Sequence, residues 1–178
     1  MDLIDAARGG REAAFLQVFE EHHLPLYRFA YRLTGSASDA EDVVQECFME
    51  LLRPTCSYDP GRTSLRTYLF GVVRNQSLKR RRKGVPFPCE AAEPRAEGSP
   101  ESRVLHIELE GVVARAVMQL PETQREVLIL AHSEQMPLAE IARVMALDLG
   151  AVKSRLQRAR AALKETLAAY APGAGRKS

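Results

Sequence analysis

An all-α chain, built as two small helical domains joined by a flexible linker, is the fold that the sequence predicts, and three observations predict it. Ala, Leu, Glu and Arg dominate, whereas clusters of Val, Ile, Thr and aromatic residues are scarce. Apolar residues recur at helical spacing through most of the chain. One proline-rich stretch breaks that pattern, and 178 residues suffice for two small domains.

The first domain is expected over residues 1–83. Phe15, Val18 and Phe19 form one short apolar stripe; Leu26, Phe29, Ala30 and Leu33 form another, ended by Gly35. A third helix carries a capping-box pattern, with Ser38 as cap and Glu41 three residues on. Its Val43, Val44, Cys47, Phe48, Leu51 and Leu52 recur at helical spacing and must face a core, which leaves Asp42, Gln45, Glu46 and Met49 outward. The loop from Arg53 to Thr63 contains an Asp59-Pro60-Gly61 turn. A fourth helix begins near Ser64, buries Leu65, Leu69 and Val72, carries Arg74 and Asn75, and runs out into five cations from Lys79 to Lys83.

Residues 84–103 have linker chemistry. Pro86, Pro88, Pro94 and Pro100 forbid helix continuation, and little large apolar surface follows Phe87 to offset the entropy of ordering. A second domain is expected over 104–170, before a tail at 171–178. Its first helix spans Val104 to Gln119, and its second starts after Pro121 and uses Val127, Leu128 and Leu130. Two further helices flank a short turn at Ala146-Leu147. Leu138, Ile141, Ala142 and Met145 pack the first, and Ala142 is small where two helices must cross closely. Asp148 caps the second, whose Val152, Leu156, Ala159 and Leu163 point inward. Ala151, Lys153, Ser154, Gln157, Arg158 and Arg160 then point outward, with Arg155 at the flank. A helix of this kind fits the major groove of duplex DNA, where Arg or Lys donates to guanine and Gln to adenine.

Charge is segregated although the formal net charge is only +2. Asp39, Glu41, Asp42, Glu46 and Glu50 crowd one stretch and the cations another, a distribution that makes separate docking faces for a basic partner and for nucleic acid. His22, His23, His106 and His132 are scattered and show neither a nucleophile–base pair nor metal spacing, so no cofactor and no catalysis are expected. His22 and His23 are read as lying at a helix end. Three cysteines without a CxxC pair fit a reducing cytoplasm, with thiol regulation at Cys56 and Cys89 left open. No signal peptide and no membrane span are expected. On the helix-turn-helix alone, a stand-alone regulator fits as well as any other DNA reader.

The segment EIARVM…GAVKSRLQRARAAL resembles the −35-reading domain of extracytoplasmic-function (ECF) sigma factors of the sigma-70 family, and Leu120-Pro121…Arg125-Glu126-Val127-Leu128 is similar to the start of that domain. DAEDVVQECFMELL resembles the helix that docks on RNA polymerase, and SLRTYLFGVVRNQSLKRRRK the promoter-melting, −10-reading helix. The resemblance covers about 15–83 and 104–167, in the family's order.

What it implies is a non-catalytic, cytoplasmic specificity subunit of RNA polymerase. Region 2 would occupy 1–83 and region 4 would occupy 104–170. Asp39, Asp42, Gln45, Glu46 and Met49 would meet core polymerase at the β′ coiled coil, with the β flap as a second contact. Tyr68, Arg74, Asn75, Lys79 and Arg80 would engage the −10 element, beside a loop (Arg53–Thr63) that captures a flipped base. Lys153, Ser154, Arg155, Gln157 and Arg158 would read the −35 duplex, and an anti-sigma factor would hold the protein inactive. Tyr68 stands where the family more often has tryptophan, and Ala151 replaces a common threonine, which removes a hydroxyl able to cap the helix or contact phosphate.

Overall fold

The structure, a computed structural model, describes residue 9, residues 11–81 and residues 111–168. Its helices are α1 (Glu12–Thr34), α2 (Ala37–Leu52), α3 (Leu65–Arg81), α4 (Glu122–Leu128), α5 (Leu138–Met145) and α6 (Leu149–Ala168). Helical residues 111–119 precede α4, and a π-helical turn, Ile129–Ser133, follows it. No strand occurs among the described residues, as the composition predicts. The described residues form two compact units, one of 11–81 with Ala139–Ala146, the other of 111–138 with 147–168. The expected linker at 84–103 and the tail at 171–178 lie outside the described residues.

In the first unit, the two apolar stripes expected before Gly35 lie on one continuous helix. Ala14, Val18, Leu26, Phe29, Ala30 and Leu33 are all buried along α1, which passes through Pro25 without stopping. A proline inside a helix costs about 3 kcal/mol. Full burial of a large apolar side chain contributes about 1.5–3 kcal/mol. The four large residues on this stripe therefore outweigh the break. His22 and His23 sit in the middle of this helix, not at an end. His22 is largely buried, and burial lowers its pKa; Glu21 opposes that shift and Arg66 adds to it. His23 stacks on Phe19 with ring centroids 4.5 Å apart.

One turn closes α1 and opens α2. Gly35 adopts φ 74°, a left-handed conformation suited to glycine, and its N–H donates to the Tyr31 carbonyl at 2.8 Å. Ser36 then takes an extended conformation and its Oγ accepts the Asp39 N–H at 3.2 Å. Ser36, not Ser38, is thus the cap. Helix resumes immediately after the glycine, so Ser38 and Glu41 already lie within it, both exposed.

On α2, Val43, Val44, Cys47, Phe48 and Leu51 are buried as expected and Ala40 joins them, while Leu52 is half-buried. The helix packs against both α1 and α3. Phe48 meets Phe15 and Phe19 across the α1 seam, and Phe29 of α1 meets Phe70 of α3 at 5.2 Å between centroids. Ser64 Oγ accepts the Thr67 N–H at 3.2 Å at the head of α3. The buried stripe of α3 is Thr67, Leu69, Phe70, Val73 and Ser77. Leu69 is as expected, but Leu65 and Val72 are only half-buried. Adjacent valines leave periodicity without a choice, and packing on α1 and α2 takes the second. Within the same unit, Thr67 Oγ1 donates to Glu140 at 2.7 Å.

In the second unit, α4 packs on α6, around Ala116, Leu120, Val127, Leu130, Val152, Leu156 and Ala159. Pro121 is the N-cap of α4 and marks the break expected there. Arg125 is buried, and its Nη2 donates to the carbonyls of Met118 at 2.6 Å and Leu120 at 2.9 Å. The guanidinium thereby satisfies carbonyls at the C-terminal end of helical residues 111–119, which would otherwise be orphaned. Each charged hydrogen bond of this kind contributes about 1.5–3 kcal/mol. Ala146, the turn residue after α5 and the last residue of the first unit's second segment, holds φ 51° without being glycine. Asp148 caps α6 as expected, its Oδ1 accepting the Ala151 N–H at 2.8 Å.

Two predictions follow from this packing. Arg125→Ala should destabilise the second unit by about 3 kcal/mol, read as a lower denaturant midpoint in chemical unfolding; an unchanged midpoint would deny Arg125 its capping role. Burial pushes the Cys47 thiol up to about 12, with Glu50 and Cys56 adding to the shift, so almost no thiolate forms at neutral pH. Iodoacetamide should therefore label the half-buried Cys56 in the native protein and reach Cys47 only on unfolding, as peptide mass mapping would report. Native labelling of Cys47 at the Cys56 rate would contradict its burial.

Candidate functional site

Three surfaces gather the residues singled out above. On α2, burial of the inner face forces Asp42, Gln45, Glu46 and Met49 to the outside, and all four are exposed. Met49 is one of the few large apolar side chains left more than half uncovered. Asp39, Asp42, Glu46 and Glu50 recur at spacings of three and four and so form one acidic stripe beside α3.

Sequence separation of acids and bases does not become spatial separation here. Arg80, at the end of α3, reaches across to the acidic stripe. Its Nη1 donates to Asp42 Oδ2 at 2.9 Å and its Nη2 to Glu46 Oε1 at 2.6 Å, while Asp39 Oδ1 lies 3.5 Å from Nη1. One turn earlier, Gln76 Nε2 donates to Glu50 Oε2 at 3.2 Å and extends the seam. Burial pulls the Arg80 pKa down, but its bonds to Asp42 and Glu46 and their charge outweigh that, so the net direction is up.

The outer face of α3 carries Tyr68, Asn75 and Lys79 one above another, seven and four residues apart. Asn75 and Lys79 are exposed, and Tyr68 is half-buried. Arg74 and Arg80 project to opposite flanks of this row. The preceding loop is built around Asp59, whose Oδ1 accepts the Gly61 N–H at 2.9 Å in the turn that the sequence predicts. Tyr68 is anchored to that loop. Its ring lies 5.3 Å from that of Tyr58, and its hydroxyl is 3.3 Å from Cys56 Sγ. Burial, then the Cys56 hydrogen bond, push the phenol up to about 12, so it stays neutral at physiological pH.

On α6, Val152, Leu156 and Ala159 are buried, and Leu163 is half-buried. Lys153, Gln157, Arg158 and Arg160 are exposed, Ser154 is half-buried among them, and Arg155 is half-buried at the flank. Arg158 Nη2 donates to Ser154 Oγ at 2.8 Å, one helical turn back. Ser154 therefore holds the Arg158 side chain as well as facing outward. Arg160 Nε donates to His132 Nε2 at 3.2 Å, an interaction between α6 and the π-helical turn. Sequence reasoning missed that pairing, because nothing in a one-dimensional pattern brings residues 132 and 160 together. It also gave Arg125 no role of its own, since Gln124, Arg125 and Glu126 read as one polar run in which nothing marks the arginine as buried. No group of acids, histidines and cysteines among the described residues would hold a metal. No described helix is long and apolar enough to cross a membrane.

Comparison with known proteins places these surfaces in a family. Residues 18–85 match the Sigma-70 region 2 model, and residues 111–163 match the Sigma-70, region 4 model. The ECF RNA polymerase sigma factor SigM of Mycobacterium tuberculosis is 32% identical, over 93% of this chain and 83% of its own. SigW of Bacillus subtilis, another ECF sigma factor, is 28% identical over 92% of this chain and 94% of its own. CnrH, solved in complex with the cytosolic domain of CnrY, superposes with a TM-score of 0.71 at 27% identity, over 94% of this chain and 96% of that one. RpoE of Bartonella quintana, solved with the anti-sigma factor NepR, gives 0.70 at 28% identity over 86% and 96%. The acidic stripe and the α3 row fall within the region 2 match, and the outward residues of α6 within the region 4 match; the chain belongs to the ECF sigma factors of the sigma-70 family.

Proposed function

We propose that this chain is a non-catalytic, cytoplasmic subunit that binds core RNA polymerase and selects promoters by reading a −35 duplex and a melted −10 strand. Residues 1–83 serve as region 2 and 104–170 as region 4, with 84–103 as the tether. The observation that carries this reading is the two-sidedness of α6. Its apolar stripe is buried, and a polar face of Lys153, Ser154, Gln157 and Arg158, flanked by Arg155, is left for a groove. On α3 the row of Tyr68, Asn75 and Lys79, with Arg74 and Arg80 at its flanks, supplies cations and an aromatic edge for a single strand. A chain that holds both readers gains effective concentration when the two elements lie on one DNA.

Asp39, Asp42, Gln45, Glu46 and Met49 meet the β′ coiled coil, and region 4 meets the β flap. An anti-sigma factor completes the partner set, a reading supported by the NepR complex of the Bartonella relative. Reconstitution with core enzyme tests the whole. Run-off transcription from promoters selected out of a random library should depend on both proteins, whereas a tight promoter footprint without core enzyme would favour a stand-alone regulator.

Two substitutions resolve the parts. Reversing Asp42 and Glu46 to lysine should weaken binding to core polymerase while circular dichroism stays unchanged; undiminished affinity would remove the acidic stripe from the interface. Arg158→Ala should cost about 1–3 kcal/mol on promoters with an intact −35 element. An equal loss on scrambled −35 sequences would make Arg158 a phosphate contact.

A further inference from the structure

We propose that Arg80 is a latch: in the free chain it is clamped on the carboxylates of Asp42 and Glu46, and a basic partner docking on that stripe releases it to a nucleic-acid strand lying along α3. The proposal rests on the promoter-reading function above, and it adds a coupling between the two surfaces that the function does not require.

The geometry carries it. Arg80 stands next to Lys79, an exposed member of the α3 row, yet its own side chain turns away from that row and onto α2. Both Nη atoms are engaged by carboxylates, with Asp39 as a third acid at 3.5 Å. A guanidinium neutralised in this way has little attraction left for a phosphate. The acids, by contrast, keep their outer faces open: the Asp42 and Glu46 side chains are 55% and 53% exposed against 27% for Arg80. A second cation therefore has access to the same oxygens without first unfolding anything. Exposed ion pairs add little to stability, so the fold does not depend on the latch being shut. Arginine suits the role because its planar fork spans two carboxylates one turn apart, which a lysine ammonium cannot do with equal geometry.

The latch makes a prediction about the full chain alone, without polymerase. The probe is a fluorescein-labelled single-stranded oligothymidylate, titrated by anisotropy at several salt concentrations. The variants are Asp42→Asn with Glu46→Gln, Arg80→Gln, and all three together, with thermal unfolding as the check on folding. Removing the two acids should raise affinity about three- to tenfold and steepen the dependence of log K on log salt by about 0.7, the value of one more neutralised phosphate on a single strand. With Arg80→Gln also present, the gain in affinity should shrink to that of a general charge effect and the salt slope should not change. Equal gains in both backgrounds would overturn the latch and leave the promoter-reading function standing. Failure of every variant to bind the oligonucleotide would remove the α3 reading and the latch with it. Arg80→Lys alone supplies a second arm that alters no acid. It keeps the charge but loses the fork, so it should bind the strand more tightly than the wild type, and binding no tighter would overturn the proposal.

Discussion

The inner face of α2 sets the terms for the first unit. Ala40, Val43, Val44, Cys47, Phe48 and Leu51 are removed from water between α1 and α3, and this fixes the rotation of the helix about its axis. Once that rotation is fixed, the remaining residues have no freedom to hide. Asp42, Gln45, Glu46 and Met49 must face outward, and the line through Asp39, Asp42, Glu46 and Glu50 must run beside α3. Cys47 marks the centre of the seam, its Sγ 3.8 Å from the Leu69 carbonyl on α3. The acidic stripe is thus a by-product of core packing. Its position has the rigidity of the core, although none of its own contacts supplies that rigidity.

Much of this arrangement was legible in the sequence because α2 and α6 are strongly patterned. Their buried sets recur at helical spacing with few ambiguous neighbours, and Asp148 caps α6 where a cap was expected. Legibility failed where two local signals competed. Ser36 and Ser38 both precede an acid by three residues, and only the left-handed turn at Gly35 decides between them. Val72 and Val73 are equivalent as sequence and differ only in which one meets α1 and α2. The two apolar stripes before Gly35 read as separate, yet one helix joins them through Pro25 because burial on both sides outweighs one lost hydrogen bond. In the last two cases a tertiary constraint overrode a local preference.

The charged residues show the deeper limit. A linear reading treats the acidic stretch and the basic stretch as two separate fields, since the 28 residues 51–78 lie between them. Folding sets α2 and α3 side by side and brings Arg80 onto Asp42 and Glu46. Likewise Arg160 finds His132, and Arg125 finds the carbonyls of Met118 and Leu120. Composition gives the number of charges and periodicity gives the face, but neither gives the partner. Partners decide function here, because a paired arginine and a free one present different potentials to a phosphate.

The pairings also differ in what they are suited to do. Arg125 is buried and bonded to the backbone carbonyls of Met118 and Leu120 at the end of a helix, so its interaction belongs to the fold. Arg80 is partly exposed and bonded to carboxylates that face solvent, so a competing cation has physical access to its partners. Arg158 lies between these cases, since its hydroxyl partner, Ser154, sits on the same outward face and travels with it into any groove. A neutral hydroxyl orients a guanidinium without cancelling its charge, whereas a carboxylate does both. The same residue type thereby serves as a structural cap, an exchangeable counter-ion and a pre-oriented donor. What separates the three is whether the partner is a carbonyl, a carboxylate or a hydroxyl, and how much water reaches it.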